Sequence, residues 1–226
     1  MRPKAFVFDA YGTLFDVAAA ARVAAAEPGG EVLRDLWPGL AEDWRRKQLE
    51  YCWLRAIMGA HADFAEVTAD ALDWALEARG LGADRDLRAR LLALYDRLGA
   101  FPEVLEVLLA LQGRGARLAI LSNGAPGMLA SATATAGIAG LIEAVISVED
   151  VGVFKPAPQV YALVEARLAV PPAQVMFVSS NGWDIAGAAR FGFTTAWINR
   201  SGAPMDRLPH GPAHILPNLS RLPEFL

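Results

Sequence analysis

The stretch FVFDAYGTLFD, Phe6 to Asp16, decides the fold. With Ala5 before it, the run Ala5 to Phe8 is short, apolar and aromatic, as a strand buried on both faces requires, and it ends on a carboxylate, Asp9. Tyr11 and then Gly12-Thr13 follow at once, so a tight turn leaves Asp9 at the strand's carboxyl end. The pattern recurs downstream. Arg117 to Leu121 (RLAIL) runs into Ser122-Asn123-Gly124, Ala144 to Val148 (AVISV) into Glu149-Asp150, and Val175 to Val178 (VMFV) into Ser179-Ser180-Asn181, while Thr194 to Ile198 (TTAWI) reads as a fifth strand. Helical stretches at Pro102 to Leu111, Met128 to Ala136 and Ala157 to Leu168 separate these runs. Alternating strand and helix predicts an α/β fold with a mostly parallel sheet covered on both faces. Such sheets bind ligands outside the carboxyl ends of their strands, where the polar residues of this chain gather.

Residues 16–97 break that rhythm: they are rich in Ala, Leu, Arg and Trp, helix-like throughout and without a convincing strand. They read as a helical cap domain inserted into a core made of residues 1–15 and 98–226. The alanine-rich stretch Ala18 to Ala26 is a good helix former and calls for no other explanation. Across 226 residues, 21 Lys and Arg stand against 25 Asp and Glu, and a net charge of -4 provides no field for nucleic acid or an anionic membrane. The single cysteine, Cys52, excludes an internal disulfide, and the three scattered histidines, His61, His210 and His214, predict no histidine-cluster metal site. The opening MRPKAFVFDAYG carries no signal-peptide pattern, so the expected compartment is the cytoplasm.

A strand-end aspartate can simply cap a turn. Here its company says more: a strand, Asp9, a two-residue gap and Gly12-Thr13-Leu14 resemble the first motif of the haloacid dehalogenase superfamily, and the resemblance extends over the whole chain. It implies a Rossmann-like core with an inserted cap. Most members of that superfamily are phosphatases, which carry a second Asp two residues after the nucleophile and an acidic pair near the last motif to hold magnesium. This chain has Tyr11 at the first position, and its SSNGWD supplies Asp184 with Asn181 three residues earlier. Magnesium favours hard anionic oxygens, and a phosphoryl group needs positive charge around it. These departures are similar to those of the 2-haloacid dehalogenase branch, with no metal and no cofactor; a magnesium-dependent small-molecule phosphatase is the alternative.

In WRRKQLEYCWLRAIM, Arg45, Leu49, Cys52, Trp53 and Ala56 fall on one helical face, so an arginine heads an apolar stripe. Arg46 and Glu50 are a solvated i, i+4 pair. The family resemblance makes Asp9 a covalent nucleophile and gives Arg45 and Asn123 the departing halide, Ser122 the substrate carboxylate, and Thr13, Lys155, Ser179, Asn181 and Asp184 the positioning of Asp9 and of the hydrolytic water. Tyr161 matches a further polar position, although a tyrosine one turn into a helix more often serves packing than chemistry. Trp183, Phe64, Tyr11, Leu49 and Trp53 would wall the halogen, with Phe64 and Trp183 foremost. Pro156 is expected to open the helix after Lys155. Cys52 reads as a small buried hydrophobe. The implied substrates are small (S)-2-halocarboxylates, released as (R)-2-hydroxyacids and halide by a homodimer.

Overall fold

A computed structural model describes residues 2–226. Six strands, all parallel, form one sheet in the order β3-β2-β1-β4-β5-β6: β1 Ala5–Phe8, β2 Arg117–Ser122, β3 Ala144–Ser147, β4 Val175–Ser179, β5 Thr194–Ile198 and β6 His214–Leu216. The α/β fold with a parallel sheet is therefore as the sequence indicates, and the five expected strands lie where their apolar runs are. β1 is buried at all four residues and pairs on both sides, Phe8 facing Ile120 of β2 and Val178 of β4. The chain builds outward from β1 through β2 to β3, then crosses back to β4 on the other side of β1 and continues through β5 to β6. The order reverses at β1 and β4, and a crevice opens at such a point beyond the strand ends. Asp9 continues the ladder, its N–H donating to the Val178 carbonyl at 2.9 Å.

Four helices lie between β1 and the rest of the core: α1 Ala19–Ala26, α2 Trp37–Met58, α3 Phe64–Glu77 and α4 Arg85–Tyr95. α2 and α3 pack as an antiparallel pair joined by a short loop, and Asp63 caps α3 by accepting from the Glu66 N–H. The core helices follow: α5 Val104–Gly113, α6 Pro126–Thr135, α7 Pro158–Leu168 and α8 Gly182–Phe191. One expectation is corrected here. α7 opens at Pro158 rather than Pro156, because Ala157, preceding a proline, is held extended at φ -60° and ψ 132°. No helix among the described residues is long and apolar enough to cross a membrane.

Candidate active site

Three neighbouring strand ends converge. Asp9 follows β1, Ser122 ends β2 with Asn123 next to it, and Ser179 ends β4 ahead of Asn181, Trp183 and Asp184 on α8. Above them, α2 contributes Arg45 and Leu49 and the start of α3 contributes Phe64. Together Asp9, Tyr11, Arg45, Leu49, Phe64 and Trp183, with Ser122, Asn123 and Asn181, line a small cavity of about 10 Å³.

Asp9 is buried, and each of its oxygens is engaged. Oδ1 accepts from Lys155 Nζ at 3.1 Å; Oδ2 accepts from the Thr13 hydroxyl at 3.0 Å and from Asn181 Nδ2 at 3.0 Å. Thr13 Oγ1 in turn accepts from the Ser180 N–H at 2.8 Å, and of the two acceptors its proton can reach, the charged Asp9 oxygen at 3.0 Å is nearer than Ser180 Oγ at 3.2 Å. Oδ2 thus has two donors and Oδ1 one, so Oδ1 retains one uncommitted lone pair. Asn181 is the N-cap residue of α8, yet its side chain does not cap the helix. An asparagine there ordinarily accepts from the first turn. Here its amide nitrogen goes to Asp9 and its Oδ1 accepts from Arg45 Nη2 at 3.4 Å, so a residue with a ready local bond is spent on bridging two others.

Lys155 is 1% exposed and lies between two carboxylates, donating to Asp184 Oδ2 at 2.9 Å as well as to Asp9. Burial works against its charge, but Asp184 and Asp9 outweigh it and raise the ammonium pKa above the ordinary lysine value. Burial raises the Asp184 carboxyl above its usual range, with Lys155 partly offsetting this and Asp9 adding to it. The Tyr161 hydroxyl donates to Asp184 Oδ1 at 2.8 Å and favours the ionised form. That approach depends on Gly187, where a Cβ would sit 2.5 Å from the Tyr161 hydroxyl oxygen. Both Asp184 oxygens are therefore held behind the cavity wall, one step removed from the space that Asp9 faces.

Arg45 Nη2 also donates to the Tyr11 carbonyl at 3.1 Å, tying α2 to the loop that follows β1. The Asn123 side chain accepts the Lys155 N–H at 3.0 Å through Oδ1, and Ser122 Oγ accepts the Gly124 N–H at 3.0 Å. Ser179 is buried, and its hydroxyl accepts from the Asn181 N–H at 3.1 Å; it shapes the loop and makes no bond to Asp9. Trp53 meets Trp183 edge-on, the ring centroids 5.4 Å apart, at the rim rather than on the cavity wall. Cys52 is buried and its thiol is pushed up to about 12 by burial, so it is no nucleophile. His61 bonds Glu149 at 2.9 Å, joining the α2–α3 loop to the turn after β3. Four contributors escaped the sequence reading: Ser180, and the buried trio Gln48, Thr68 and Tyr95 behind Arg45. Only Ser180 had a signal, its place inside the SSN motif.

Magnesium does not fit this donor set. Two carboxylates already share an ammonium, and no cluster of three or more His, Cys, Asp or Glu among the described residues is arranged around an ion.

An aspartate at a strand switch point, held by a buried lysine and faced by residues of α2 and α3, is the arrangement that similarity to known proteins places in a class. The chain belongs to the haloacid dehalogenase-like hydrolases, whose family model matches residues 3–192. It is 44% identical to (S)-2-haloacid dehalogenase 1 of Pseudomonas sp. (strain CBS-3) over 99% of this chain and 96% of that protein. It is 49% identical to the (S)-2-haloacid dehalogenase of Xanthobacter autotrophicus over 87% of this chain and 75% of that protein. Among solved structures, the L-2-haloacid dehalogenase from Xanthobacter autotrophicus with chloropropionic acid covalently bound superposes with a TM-score of 0.87 at 42% identity, covering 98% of this chain and 97% of that one.

Proposed function

We propose that this protein hydrolyses small (S)-2-haloacids to (R)-2-hydroxyacids and halide through an ester on Asp9. The observation that carries the reading is the Asp9 carboxylate itself: two donors on Oδ2, Lys155 on Oδ1, and a small cavity with Arg45 and aromatic rings before it. In the first step an Asp9 oxygen attacks C2 from the side opposite the halogen. The C–O bond forms, the carbon–halogen bond breaks with its electron pair, and C2 inverts. Arg45 and Asn123 receive the halide, with Phe64, Tyr11, Leu49 and Trp183 excluding water, while Ser122 holds the substrate carboxylate.

In the second step water adds to the ester carbonyl. With Oδ1 alkylated, Oδ2 becomes the oxygen on which negative charge develops, and Thr13 and Asn181 already lie 3.0 Å from it. Collapse breaks the bond from Asp9 Cγ to the substrate oxygen and frees the hydroxyacid, which keeps the Asp9 oxygen. Lys155 steadies Asp9, and Ser179 shapes the loop that presents Asn181. Asp184, with its raised proton affinity and its bond to Tyr161, holds Lys155 and receives the water's proton by relay through the Lys155 ammonium, which passes one proton to Asp184 Oδ2 as it takes up another from the water. Residues 16–97 act as the cap over the core, 1–15 and 98–226. Exposed Leu54, Ile57 and Met58 at the end of α2 support a homodimer, and the single buried cysteine supports a cytoplasmic setting.

One turnover in oxygen-18 water, with enzyme in excess, tests the ester. The expected result is unlabelled hydroxyacid and label in Asp9; label in the first product, with Asp9 unlabelled, means that water attacks C2 directly and removes the ester step. Asp9→Asn should fold and be inactive in either case.

A further inference from the structure

Gln48 is 1% exposed on a helix whose neighbouring polar residues face solvent, and it makes no contact with the cavity of its own. A buried amide must place its donors and acceptor on partners, and here the partners dictate its orientation. The Thr68 hydroxyl donates to the Phe64 carbonyl at 2.6 Å, so its oxygen can only accept from Gln48 Nε2, which lies 2.7 Å away. Nε2 also meets the Tyr95 hydroxyl at 3.1 Å. With the nitrogen end committed to α3 and α4, Oε1 has to face Arg45 and accepts from Nη1 at 2.8 Å. Tyr95 stacks on Tyr11, ring centroids 5.6 Å apart at 21°. One amide thereby references the guanidinium to two walls of the cavity, Tyr11 and Phe64.

The Arg45 fork has five N–H groups. One Nη1 proton is held by Gln48 and both Nη2 protons by the Tyr11 carbonyl and Asn181 Oδ1, so the plane of the fork is set and one Nη1 proton and the Nε–H remain uncommitted. The neutrality of Gln48 is part of its chemistry. A carboxylate in its place would hold the fork as firmly but would spend the charge that an anion in the cavity needs.

We propose that Gln48 is the positioning residue for Arg45: it fixes the guanidinium plane and leaves its charge uncompensated, and so sets how strongly the enzyme assists halide departure. The inference rests on Arg45 receiving the halide. It is tested with Gln48→Glu and Gln48→Met, the first isosteric and the second of similar length and apolar, beside wild type and Arg45→Lys. Four quantities are read for each: kcat and KM on 2-chloro- and 2-bromopropionate, inhibition by bromide, and Tm. Both Gln48 variants are expected to lose about 10-fold or more in kcat on the chloro substrate and less on the bromo substrate, because the poorer leaving group leans harder on Arg45. KM should change little, and bromide inhibition should weaken most in Gln48→Glu. If both Gln48 variants keep the wild-type chloro-to-bromo ratio and bromide inhibition while Arg45→Lys changes them, Gln48 is merely structural and the inference fails alone, whatever happens to Tm. If Arg45→Lys leaves both readouts unchanged as well, the halide role of Arg45 fails and takes the inference with it. Should Gln48→Met not fold, Gln48→Glu decides by the same readouts.

Discussion

Lys155→Met removes the ammonium between Asp9 and Asp184 while keeping an unbranched stem that packs on Phe177, over which Nζ now lies at 5.1 Å. Lys155 and Asp184 are almost fully excluded from solvent, so water does little to screen what remains. Breaking a buried pair by deleting one partner costs about 3–5 kcal/mol. For a domain of this length each kcal/mol moves Tm by about 2–4 °C, so the variant should melt roughly 6–20 °C below wild type at pH 7. The sign of the pH effect follows from the two acids. In wild type the raised Lys155 pKa contributes stability that is complete below the ordinary lysine value and is lost only as pH rises through the raised one, so between pH 5 and 7 it is constant. In the variant, Asp184 has lost the charge that offset its burial, and its carboxyl rises further. A carboxyl raised on folding costs nothing below its unfolded value and increasingly destabilises as pH climbs through that value toward the folded one. The deficit should therefore shrink between pH 7 and pH 5. Calorimetric melts at both pH values, with halide release as the activity readout, provide the check. An unchanged Tm at pH 7, or a deficit that does not narrow on acidification, would refute the balancing role assigned to Lys155.

Tyr161→Phe removes a hydrogen bond that lowers the Asp184 pKa, so the acid limb of the kcat–pH profile should move to higher pH; a limb that stays put, or moves down, contradicts the role of that bond. Gly187→Ala would place a Cβ 2.5 Å from the Tyr161 hydroxyl oxygen and 2.8 Å from Pro156 Cβ, and overpacking of this kind costs about 1–3 kcal/mol. Its Tm loss should be less than additive with that of Tyr161→Phe, which relieves one of the two clashes; strict additivity in the double variant argues against it. Dialysis against EDTA should leave turnover unchanged, and restoration of a lost activity by magnesium would overturn the donor-set reasoning.

Legibility followed the range over which each residue makes its contacts. Asp9, Ser122 and Asn181 could be found because each ends an apolar run, and in a parallel sheet a run's end is a place in space as well as in sequence. Lys155 and Asp184 carry no such local sign; the family's motifs brought them to attention. β6 was invisible: three residues, His214 to Leu216, between Pro212 and Pro217, are too few to show a period, and what makes them a strand is their pairing with β5. The start of α7 was misplaced because two prolines two residues apart offer the same local signal, and the choice between them lies in the backbone of Ala157. Gln48 shows the limit most clearly. On the sequence it is one polar residue among several on a charged helix, and the partners that make it matter, Thr68 and Tyr95, come from two other helices. Ser179 illustrates the converse, a motif residue whose own bond is local, to Asn181.

Two cations, Lys155 between the carboxylates and Arg45 on neutral partners, stand with two carboxylates, Asp9 and Asp184, so the formal charge around the resting cavity is even although Arg45 has no ion pair of its own. A haloacid brings one negative charge too many. Attack at C2 carries charge from Asp9 to the halogen without altering the total, so the surplus persists until the halide departs, when the ester state becomes even again. Hydrolysis recreates the Asp9 carboxylate and, once the water's proton has gone, the surplus returns until the hydroxyacid leaves. Each chemical step thus ends with an anion that the site is better off without, and ejection of both products is driven by the same arrangement of four side chains that admits the substrate.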